Sequence, residues 1–417
     1  MMAEKYVVID MGGSRISAMA AEVQESGIIK ILSVESLNSE DVRYGIVDNS
    51  SGASFKINAL LKLLKNSAKI PDVEQVSVSV GAKSMKSIHV TIHHFIGGNK
   101  VVTEELLAAM HEEAENKITG ENVFVFDVIP ISYSLDGQKM DEPAGKNGIQ
   151  ITGNYCIVYG NVQIINKLDD CFDRTGVIIE NRSLAMEALS AVLLDDNERD
   201  NGCALINFGA TTTSVGIYFD GALQHLLIIP LGGKNITKDI QELGIGEQNA
   251  EKLKCLKGCA LKSAVTDPIY VSVKSENPEV PNIKISTEFL STIIEARLDE
   301  LMHPIIDLIT KHNSKLNEGI VITGGGSKLN HLTDFLNEKT DLYVRFGNHN
   351  DWIQELDVDK YSDRIFSQLI GTITLAHEYR KTHPLEDKKR KPKKEPKIKR
   401  AAFKDIIIKY FEDENIM

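Results

Sequence analysis

Apolar and polar positions alternate along this chain with two different periods, and the changes between them predict a mixed α/β protein. Residues 76–95 alternate with a period of two and are rich in β-branched residues, which is typical of strands. Another apolar group follows the 3.6-residue period of a helix face: Leu60, Leu61, Leu63, Leu64 and Ala68. Similar spacing predicts helices at Glu104–Asn116 (with Thr103 as N-cap), Asn249–Cys259, Thr287–Lys311 and Phe366–Arg380.

One strand–turn–strand pattern occurs twice, once near the start of each half of the chain. IDMGGSRISAMA, from Ile9, aligns with INFGATTTSVGI, from Ile206, at a separation of 197 residues. The alignment pairs four turn positions: Asp10 with Asn207, Gly12 with Gly209, Gly13 with Ala210, and Ser14 with Thr211. A repeat of this length indicates a duplicated α/β domain with a cleft between the two copies.

Both turns carry residues suited to binding an anion, because glycines let bare backbone N–H groups approach it and hydroxyls add donors. Two such turns facing each other would hold the phosphates of a nucleotide from both sides. They comprise Gly12, Gly13 and Ser14 in the first half and Gly209, Ala210, Thr211 and Thr212 in the second. Asp10 could hold a hydrated Mg²⁺ against those phosphates. Either turn alone is better explained as a tight hairpin that needs glycine for a positive φ.

A third glycine-rich segment, Thr323–Lys328 (TGGGSK), follows an apolar strand. Its small residues would let a flat adenine–ribose unit lie against the backbone, although a plain strand-to-helix turn is the alternative. The three segments together, in this order and at this spacing, indicate a nucleotide site more specifically than any one of them.

Composition and charge limit the classes of function. The 417 residues suffice for two to three domains, and 42% hydrophobic with 25% charged residues is ordinary for a globular protein. No stretch reaches the roughly 18 consecutive apolar residues of a membrane-spanning helix. Five scattered cysteines favour reduced thiols in a cytosolic protein. The net charge of −12 combines +8 at Lys388–Arg400 with −20 elsewhere, which excludes a nucleic-acid-binding core.

The C-terminal segment carries one apolar stripe at helical spacing, directly after the basic stretch. The stripe consists of Phe403, Ile406, Ile407, Tyr410 and Phe411. A basic run beside a short amphipathic helix is the pattern of an anchor at an anionic membrane surface. A helix that docks on the protein's own body or on a partner is the alternative, and the basic run in isolation also fits a nuclear-localisation signal.

The histidines offer little support for a metal site. His89, His93 and His94 fall on a predicted strand, where residues four apart are separated by about 13 Å and cannot bind one ion. His303, beside Pro304 on a predicted helix, is interpreted as structural. No Ser/His/Asp spacing indicates a nucleophile.

The three glycine-rich segments and their surroundings resemble the FtsA family of bacterial cell-division proteins, within the actin-like ATPase superfamily. The similarity includes NERDNGCALINFG, YFDGALQHLLIIPLGGKNITKDI and NAEKLKCLKGCAL, and runs from Tyr6 to the C-terminal tail. It implies two actin-like (ribonuclease H-like) α/β domains around a nucleotide cleft, with an FtsA-type insertion. The implied parts are subdomain IA at 1–80 and 163–198, the insert IC at 81–162, IIA at 199–236 and 311–380, IIB at 237–310, a basic linker at 381–400 and an amphipathic membrane-targeting helix at 401–417.

The resemblance also implies a role for each motif residue. Asp10 would lie near Mg²⁺, and Gly12, Gly13, Ser14 and Arg15 near the phosphates of ATP. The other implied contacts are Gly209, Ala210, Thr211 and Thr212 across the phosphates, Gly233 and Asn235 beside the nucleotide, Glu251 and Lys254 at the ribose and adenine, and Gly324, Gly325, Gly326, Ser327 and Lys328 over the base.

The second turn departs from the family pattern, which is glycine-rich, opens with Asp and ends with another. Asn207, Ala210, Thr211 and Ser214 stand at these positions. Because metal-assisted phosphoryl transfer depends on such charges, we expect ATP binding with weak or negligible hydrolysis.

The implied function is that of an ATP-binding protein that self-associates and tethers the division-ring protein FtsZ to the cytoplasmic face of the cell membrane, beside other division proteins. The resemblance assigns the FtsZ contact to roughly 237–310. A small-molecule kinase of the same superfamily and a pilus-assembly relative of FtsA are the alternatives. A DnaK-type chaperone is disfavoured, since the about 37 residues after Arg380 are too few for a substrate domain.

Overall fold

The computed structural model describes residues 4–383, apart from 278 and 280, and these residues form two compact units. The larger unit extends to Met85 and resumes at Ile164–Thr382, and the smaller unit is Lys86–Gln163. The predicted membrane-targeting helix at 401–417 and nearly all of the predicted linker at 381–400 lie outside the described residues.

The elements follow one another along the chain in four groups. The first comprises β1 (Glu4–Met11), β2 (Arg15–Val23), β3 (Ile29–Asn38), β4 (Val42–Arg43), β5 (Ile46–Val47), α1 (Ser50–Ser67) and β6 (Gln75–Val80). The smaller unit contributes β7 (Lys86–Val101), α2 (Glu104–Asn116), β8 (Val123–Leu135), β9 (Gln138–Met140) and β10 (Asn147–Asn161). The larger unit resumes with α3 (Gln163–Thr175), β11 (Ile178–Leu184), α4 (Ala185–Leu193) and α5 (Asp196–Asn201). The last group comprises β12 (Cys203–Phe208), β13 (Thr213–Phe219), β14 (Ala222–Ile229), α6 (Gly233–Gln241), α7 (Glu247–Lys257), β15 (Tyr270–Val273), β16 (Ile283–Ser286), α8 (Thr287–Lys311), β17 (Ile320–Thr323), α9 (Leu332–Thr340), β18 (Val344–Phe346), α10 (Glu355–Tyr361) and α11 (Ser367–Thr382).

The larger unit contains the same sheet topology twice. One sheet has the strand order β11-β6-β1-β2-β3, and the other contains the order β18-β17-β12-β13-β14. In the first sheet, β1 pairs antiparallel with β2 and parallel with β6. In the second sheet, β12 pairs antiparallel with β13 and parallel with β17. Asp10 lies opposite Ser17 in one hairpin, and Asn207 lies opposite Ser214 in the other. The structure therefore confirms the predicted duplication in the register that the sequence alignment gave.

The core of the second half forms between its sheet and α8. Five residues of α8, spaced three or four apart, are fully buried: Leu290, Ile294, Leu298, Leu301 and Ile305. They pack in one cluster with Ile206 of β12 and Val215 of β13. Because apolar residues at this spacing lie on one face of a helix, burying that face fixes α8 against the sheet.

The helix α1 covers β2 and β3 in the first half. Asn49 caps it by accepting a hydrogen bond from the Gly52 N–H, and Leu60, Leu61 and Leu64 are buried. Leu63, which we expected on the same face, is 44% exposed instead. The buried positions of α1 are Ala53, Ser54, Ile57, Leu60, Leu61 and Leu64. At 100° per residue, position 63 points roughly 115° away from the mean direction of these residues, on the side of the helix away from the sheet.

Two predicted helices are confirmed residue for residue, and one is shifted. The bounds of α2 and α8 match the prediction, and the Thr103 hydroxyl caps α2 at 3.2 Å from the Leu106 N–H. The predicted Asn249–Cys259 is observed as Glu247–Lys257. The prediction was late because it missed Gly246 as the N-cap, and Gly258 leaves helical geometry with ψ 140°.

The smaller unit is an antiparallel sheet in which β10 lies between β7 and β8, with β9 beside β8. Its core joins Ile92, Tyr155 and Ile157 of the sheet to Met110 and Ala114 of α2. His93 contacts the Thr152 hydroxyl at 2.9 Å, and His94 contacts the Glu113 carboxylate at 2.8 Å. Among the described residues, every helix is too short or too polar to cross a membrane.

Candidate functional site

The two turns of the repeat have the same local geometry, which makes glycine necessary in each. A Cβ added at Gly12 would lie 2.7 Å from the Arg15 carbonyl oxygen, and one at Gly209 would lie 2.8 Å from that of Thr212. These distances are too short for any side chain. In both turns the glycine therefore lies against the carbonyl of the residue three positions later, and both turns line the same cleft.

The first and second turns meet each other in the larger unit. A Cβ built on Gly13 would lie 2.0 Å from Thr211 Oγ1 and 2.9 Å from Thr211 Cγ2. The Gly13 backbone and the Thr211 side chain are thus in direct contact. Both turns line one cleft, as the sequence predicted, and they touch each other at Gly13 and Thr211.

The second turn is held from behind by the start of α6. The N–H groups of Gly233 and Lys234 donate to the Gly209 and Ala210 carbonyls at 3.0 and 2.8 Å. A Cβ at Gly232 would lie 2.7 Å from the Ala210 carbonyl oxygen, so only glycine allows this approach. Asn235 accepts a hydrogen bond from the Gly232 N–H and caps the helix. Its side chain supports the turn and does not line the cleft.

The third glycine-rich segment packs on the end of β12. Gly324 has φ +88°, and a Cβ there would lie 2.4 Å from Asn207 Oδ1. A Cβ on Gly326 would lie 2.5 Å from the Phe208 ring. The glycine-rich turn expected between strand and helix is a 3₁₀ turn at residues 325–328, and α9 starts at Leu332. Ser327 is buried, donating to the Gly324 carbonyl at 2.7 Å, and does not line the cleft.

Asp10 lies at the inner end of β1 and lines the cleft. Its Oδ1 accepts a hydrogen bond of 2.9 Å from Gln368 Nε2 of α11. Burial raises the pKa of Asp10 to about 6, against the opposing effect of the Arg15 guanidinium. A carboxylate whose charge is poorly solvated in this way gains most from a nearby cation.

Lys254 ties α7 to α6 on the other side of the cleft. Its ammonium donates to the Gly233 carbonyl at 3.0 Å, the Thr237 hydroxyl at 2.8 Å and the Glu251 carboxylate at 2.7 Å. Burial acts to raise the pKa of Glu251, but the hydrogen bonds from Lys254 and Thr237 outweigh it and hold that pKa below its ordinary value. Because an ammonium has three donors, Lys254 uses all of them on the protein.

The cleft that these elements enclose has a volume of about 1210 Å³, larger than the ~300–1,000 Å³ of an ordinary small-molecule pocket. Most of the residues predicted to contact nucleotide line it: Asp10, Gly12, Gly13, Ser14, Arg15, Gly209, Ala210, Thr211, Thr212, Gly233, Glu251, Lys254, Gly324, Gly325, Gly326 and Lys328. Asn207 and Ser214 line it as well.

The structure adds cleft residues that sequence reasoning missed. Gln368 contacts Asp10, and Arg364 donates to the Ser327 hydroxyl at 2.9 Å while its guanidinium lies 4.0 Å from the centre of the Phe346 ring. Asp363 itself does not line the cleft, but it forms an ion pair with the cleft residue Lys328. All three follow the third glycine-rich segment by about 40 residues, and no motif in the sequence marks them.

The donor set limits which metal could bind. Within the part of the chain that the structure describes, no group of three or more His, Cys, Asp or Glu side chains could hold a metal ion. Mg²⁺ needs no such group, because it keeps several waters and binds through one or two carboxylates together with the phosphates of a ligand. Asp10 beside two glycine turns fits that mode of binding.

Solved structures with a similar fold were found for this protein. The structure resembles the PilM-PilN type IV pilus biogenesis complex with a TM-score of 0.63 at 16% identity, covering 89% of this chain and 98% of that one. It resembles MreB5 of Spiroplasma citri bound to ADP with a TM-score of 0.56 at 12% identity, covering 91% and 98%. The duplicated sheets and their paired glycine turns are those of the actin-like fold, as the sequence predicted.

Sequence comparison narrows the class. Residues 204–371 match the family model described as cell division protein FtsA. The cell division protein FtsA of Neisseria meningitidis serogroup B is 27% identical over 89% of this chain and 90% of its own length. That of Escherichia coli K12 is 26% identical over 82% and 84%. These comparisons confirm the resemblance found in the sequence: the chain is similar to the cell division protein FtsA over most of its length.

Proposed function

We propose that this protein is a bacterial cell-division protein that binds Mg²⁺·ATP in the cleft, self-associates, and tethers FtsZ to the cytoplasmic face of the membrane at the division site. The contact between Gly13 and Thr211 carries the nucleotide part of the proposal. It brings together two turns whose backbone is open to an anion, at the centre of a fold whose FtsA-type relatives are named for cell division.

Different residues of the chain would bind different parts of the nucleotide. The N–H groups of the two glycine turns would bind the phosphates, Asp10 would hold the hydrated Mg²⁺, and the segment around Gly325 would cover the base. When bound, Mg²⁺ would shield the phosphate charge. Asn207 and Ser214 supply no carboxylate on the far side, which supports slow hydrolysis at best.

Assembly and partner binding are proposed for other parts of the chain. The subdomain boundaries given above are proposed to apply. Subdomains IA, IIA and IIB would then make up the larger unit, and IC would correspond approximately to the smaller unit. FtsZ is proposed to bind IIB. A nucleotide that contacts both halves favours one relative placement of them, which would couple binding to self-association.

A pilus-assembly role is the second candidate, favoured by the structural similarity to the PilM-PilN complex. The curated relatives at 82–94% coverage of this chain are named for cell division, and the basic stretch with its apolar stripe suits a membrane tether. The small-molecule kinase stays the enzyme alternative. Phosphate transfer from ATP to a sugar or carboxylate would favour the kinase.

Gly13→Ala tests the nucleotide site. The new methyl group would lie within 3 Å of three Thr211 side-chain atoms, so it pushes the two turns apart or fills the space for the phosphates. We expect the affinity for Mg²⁺·ATP to fall at least ~10-fold, the equivalent of about 1.4 kcal/mol. Calorimetric or fluorescence titration of the full chain measures it.

The matched control is Gly246→Ala, because a Cβ there meets no atom within 4 Å and the backbone φ is −66°. Its affinity should equal that of the parent protein. If Gly13→Ala binds Mg²⁺·ATP as tightly as the control does, the phosphates do not lie between the two turns.

Truncation after Asp387 tests the membrane tether. The chain then lacks the +8 stretch and the apolar stripe that follows it, and each Lys or Arg near an anionic leaflet contributes about 1 kcal/mol before screening. In flotation with vesicles rich in anionic lipid, we expect the full chain to float and the truncated chain to stay at the bottom. Undiminished flotation of the truncated chain would refute the tether.

A further inference from the structure

Gln368 connects the start of α11 to the ends of two neighbouring strands. Its Nε2 donates to Asp10 Oδ1 of β1 at 2.9 Å and to Ser79 Oγ of β6 at 3.0 Å. An amide nitrogen has two hydrogens, so both are used. The opposite orientation of the amide would place Oε1 against a carboxylate oxygen, which the observed one avoids.

The hydrogen bond leaves the second carboxylate oxygen of Asp10 directed at the first turn. A Cβ built on Gly12 would lie 3.6 Å from Asp10 Oδ2. One oxygen is therefore held by α11, and the other faces the turn that the proposed function assigns to the phosphates. A single hydrogen bond at Oδ1 thus selects which side of the carboxylate a ligand in the cleft would meet.

The position of Gln368 is itself fixed from both halves of the larger unit. The preceding residue, Ser367, contacts the buried imidazole of His349 at 2.9 Å, on the side of the second half. Three residues later, a Cβ on Gly371 would lie 1.7 Å from the Ala188 carbonyl oxygen, so the backbones of α11 and α4 are in contact. Because this packing fixes Gln368, its hydrogen bond also fixes the orientation of Asp10.

We infer that Gln368 is a positioning residue that orients Asp10 for a hydrated Mg²⁺ ion bound with nucleotide. The inference rests on the proposed function, and it assigns to α11 a part in the cation dependence of nucleotide binding. Gln368 acts through Asp10 and needs no contact of its own with the nucleotide. Residues that orient a ligand of a metal typically change metal affinity ~10–100-fold when they are removed.

Gln368→Met is the test, because it keeps the length of the side chain and removes both donors. The affinity of the full chain for ATP is measured with Mg²⁺ and with EDTA. We expect the gain in affinity from Mg²⁺ to fall about 10-fold, with the affinity in EDTA unchanged within about 2-fold. A merely structural role would weaken both affinities alike. Gln241→Met, at the end of α6 and outside the cleft lining, is the matched control.

A double-mutant cycle with Asp10→Asn separates the two proposals. If Gln368 acts through Asp10, Gln368→Met causes no further loss of Mg²⁺ dependence once Asp10 is Asn. The inference is overturned if the two substitutions reduce the Mg²⁺-dependent gain in ATP affinity additively, or if Gln368→Met alone keeps the full gain. In either case, ATP binding by the parent protein still supports the proposed function. A parent chain that binds no ATP would overturn both, whereas parent binding that is indifferent to Mg²⁺ would overturn the role of Gln368 and Asp10 alone.

Discussion

Asp10→Asn should stabilise the nucleotide-free protein by about 1–3 kcal/mol at about pH 7.5, and lower its affinity for Mg²⁺·ATP at least ~10-fold. The opposite signs have one cause. Burial raises the pKa of Asp10 to about 6, so the folded state disfavours the charge that a cation would use. Asn keeps an oxygen for the hydrogen bond from Gln368 and carries no charge.

The pH dependence of stability follows from the same shift. The folded pKa of about 6 lies above the ordinary value of 3.8, so the folded protein holds the Asp10 proton more tightly than the unfolded chain does. The stability that this proton gives is complete below about pH 4 and is lost as pH rises through about 6. A pKa shift of about two units corresponds to about 3 kcal/mol of stability. Because Asp10 lines the cleft, solvent there reduces this contribution.

Denaturant unfolding of parent and variant at several pH values measures the change in stability. Titration with Mg²⁺·ATP measures the change in affinity. We expect the difference in unfolding free energy to be small near pH 4 and to grow up to about pH 7. Asp72→Asn, on a side chain that is 84% exposed, is the matched control and should change neither quantity appreciably. A variant that is less stable than the parent at neutral pH would show that the Asp10 charge is already compensated by the protein.

Much of the fold follows from local signals in the sequence. The bounds of α2 and α8 were predictable because Thr103 and Ser286 act as side-chain caps and the apolar spacing of each helix is regular. The repeat was predictable because glycine is the only residue that fits both turns, which left a pattern in the chain itself. Where a local rule determines the structure, the sequence suffices.

The parts that escaped prediction depend on contacts between distant segments. Gln368 meets Asp10 across 358 positions of the chain, and Arg364 meets Ser327 in a turn whose packing no local pattern describes. Asn235 and Ser327 were expected at the nucleotide because they lie within the motifs. The structure uses both as supports instead: Asn235 caps α6, and Ser327 closes its turn on Gly324.

Asn207→Asp should raise ATP hydrolysis on the order of 10–100-fold over the parent protein. Asn207 ends β12 as Asp10 ends β1, and its side chain lines the cleft beside Gly324. Asp has the same size, so the close approach to Gly324 is kept. The change adds a carboxylate on the far side of the phosphates, where a charge can help to hold Mg²⁺ or orient water. Phosphate release at saturating Mg²⁺·ATP measures the rate.

The control for added charge is Asn38→Asp, which places a carboxylate in the same cleft at the exposed end of β3. It should leave hydrolysis at the parent level, because a charge helps only where it meets the metal or the attacking water. Equal rates in both variants would mean that net charge, and not position, changes turnover. If Asn207→Asp binds Mg²⁺·ATP and still hydrolyses it no faster than the parent, the missing carboxylate at this position is not what limits turnover. Ser214, which lies opposite Asn207 in the hairpin, is then the next position at which the chain lacks the charge.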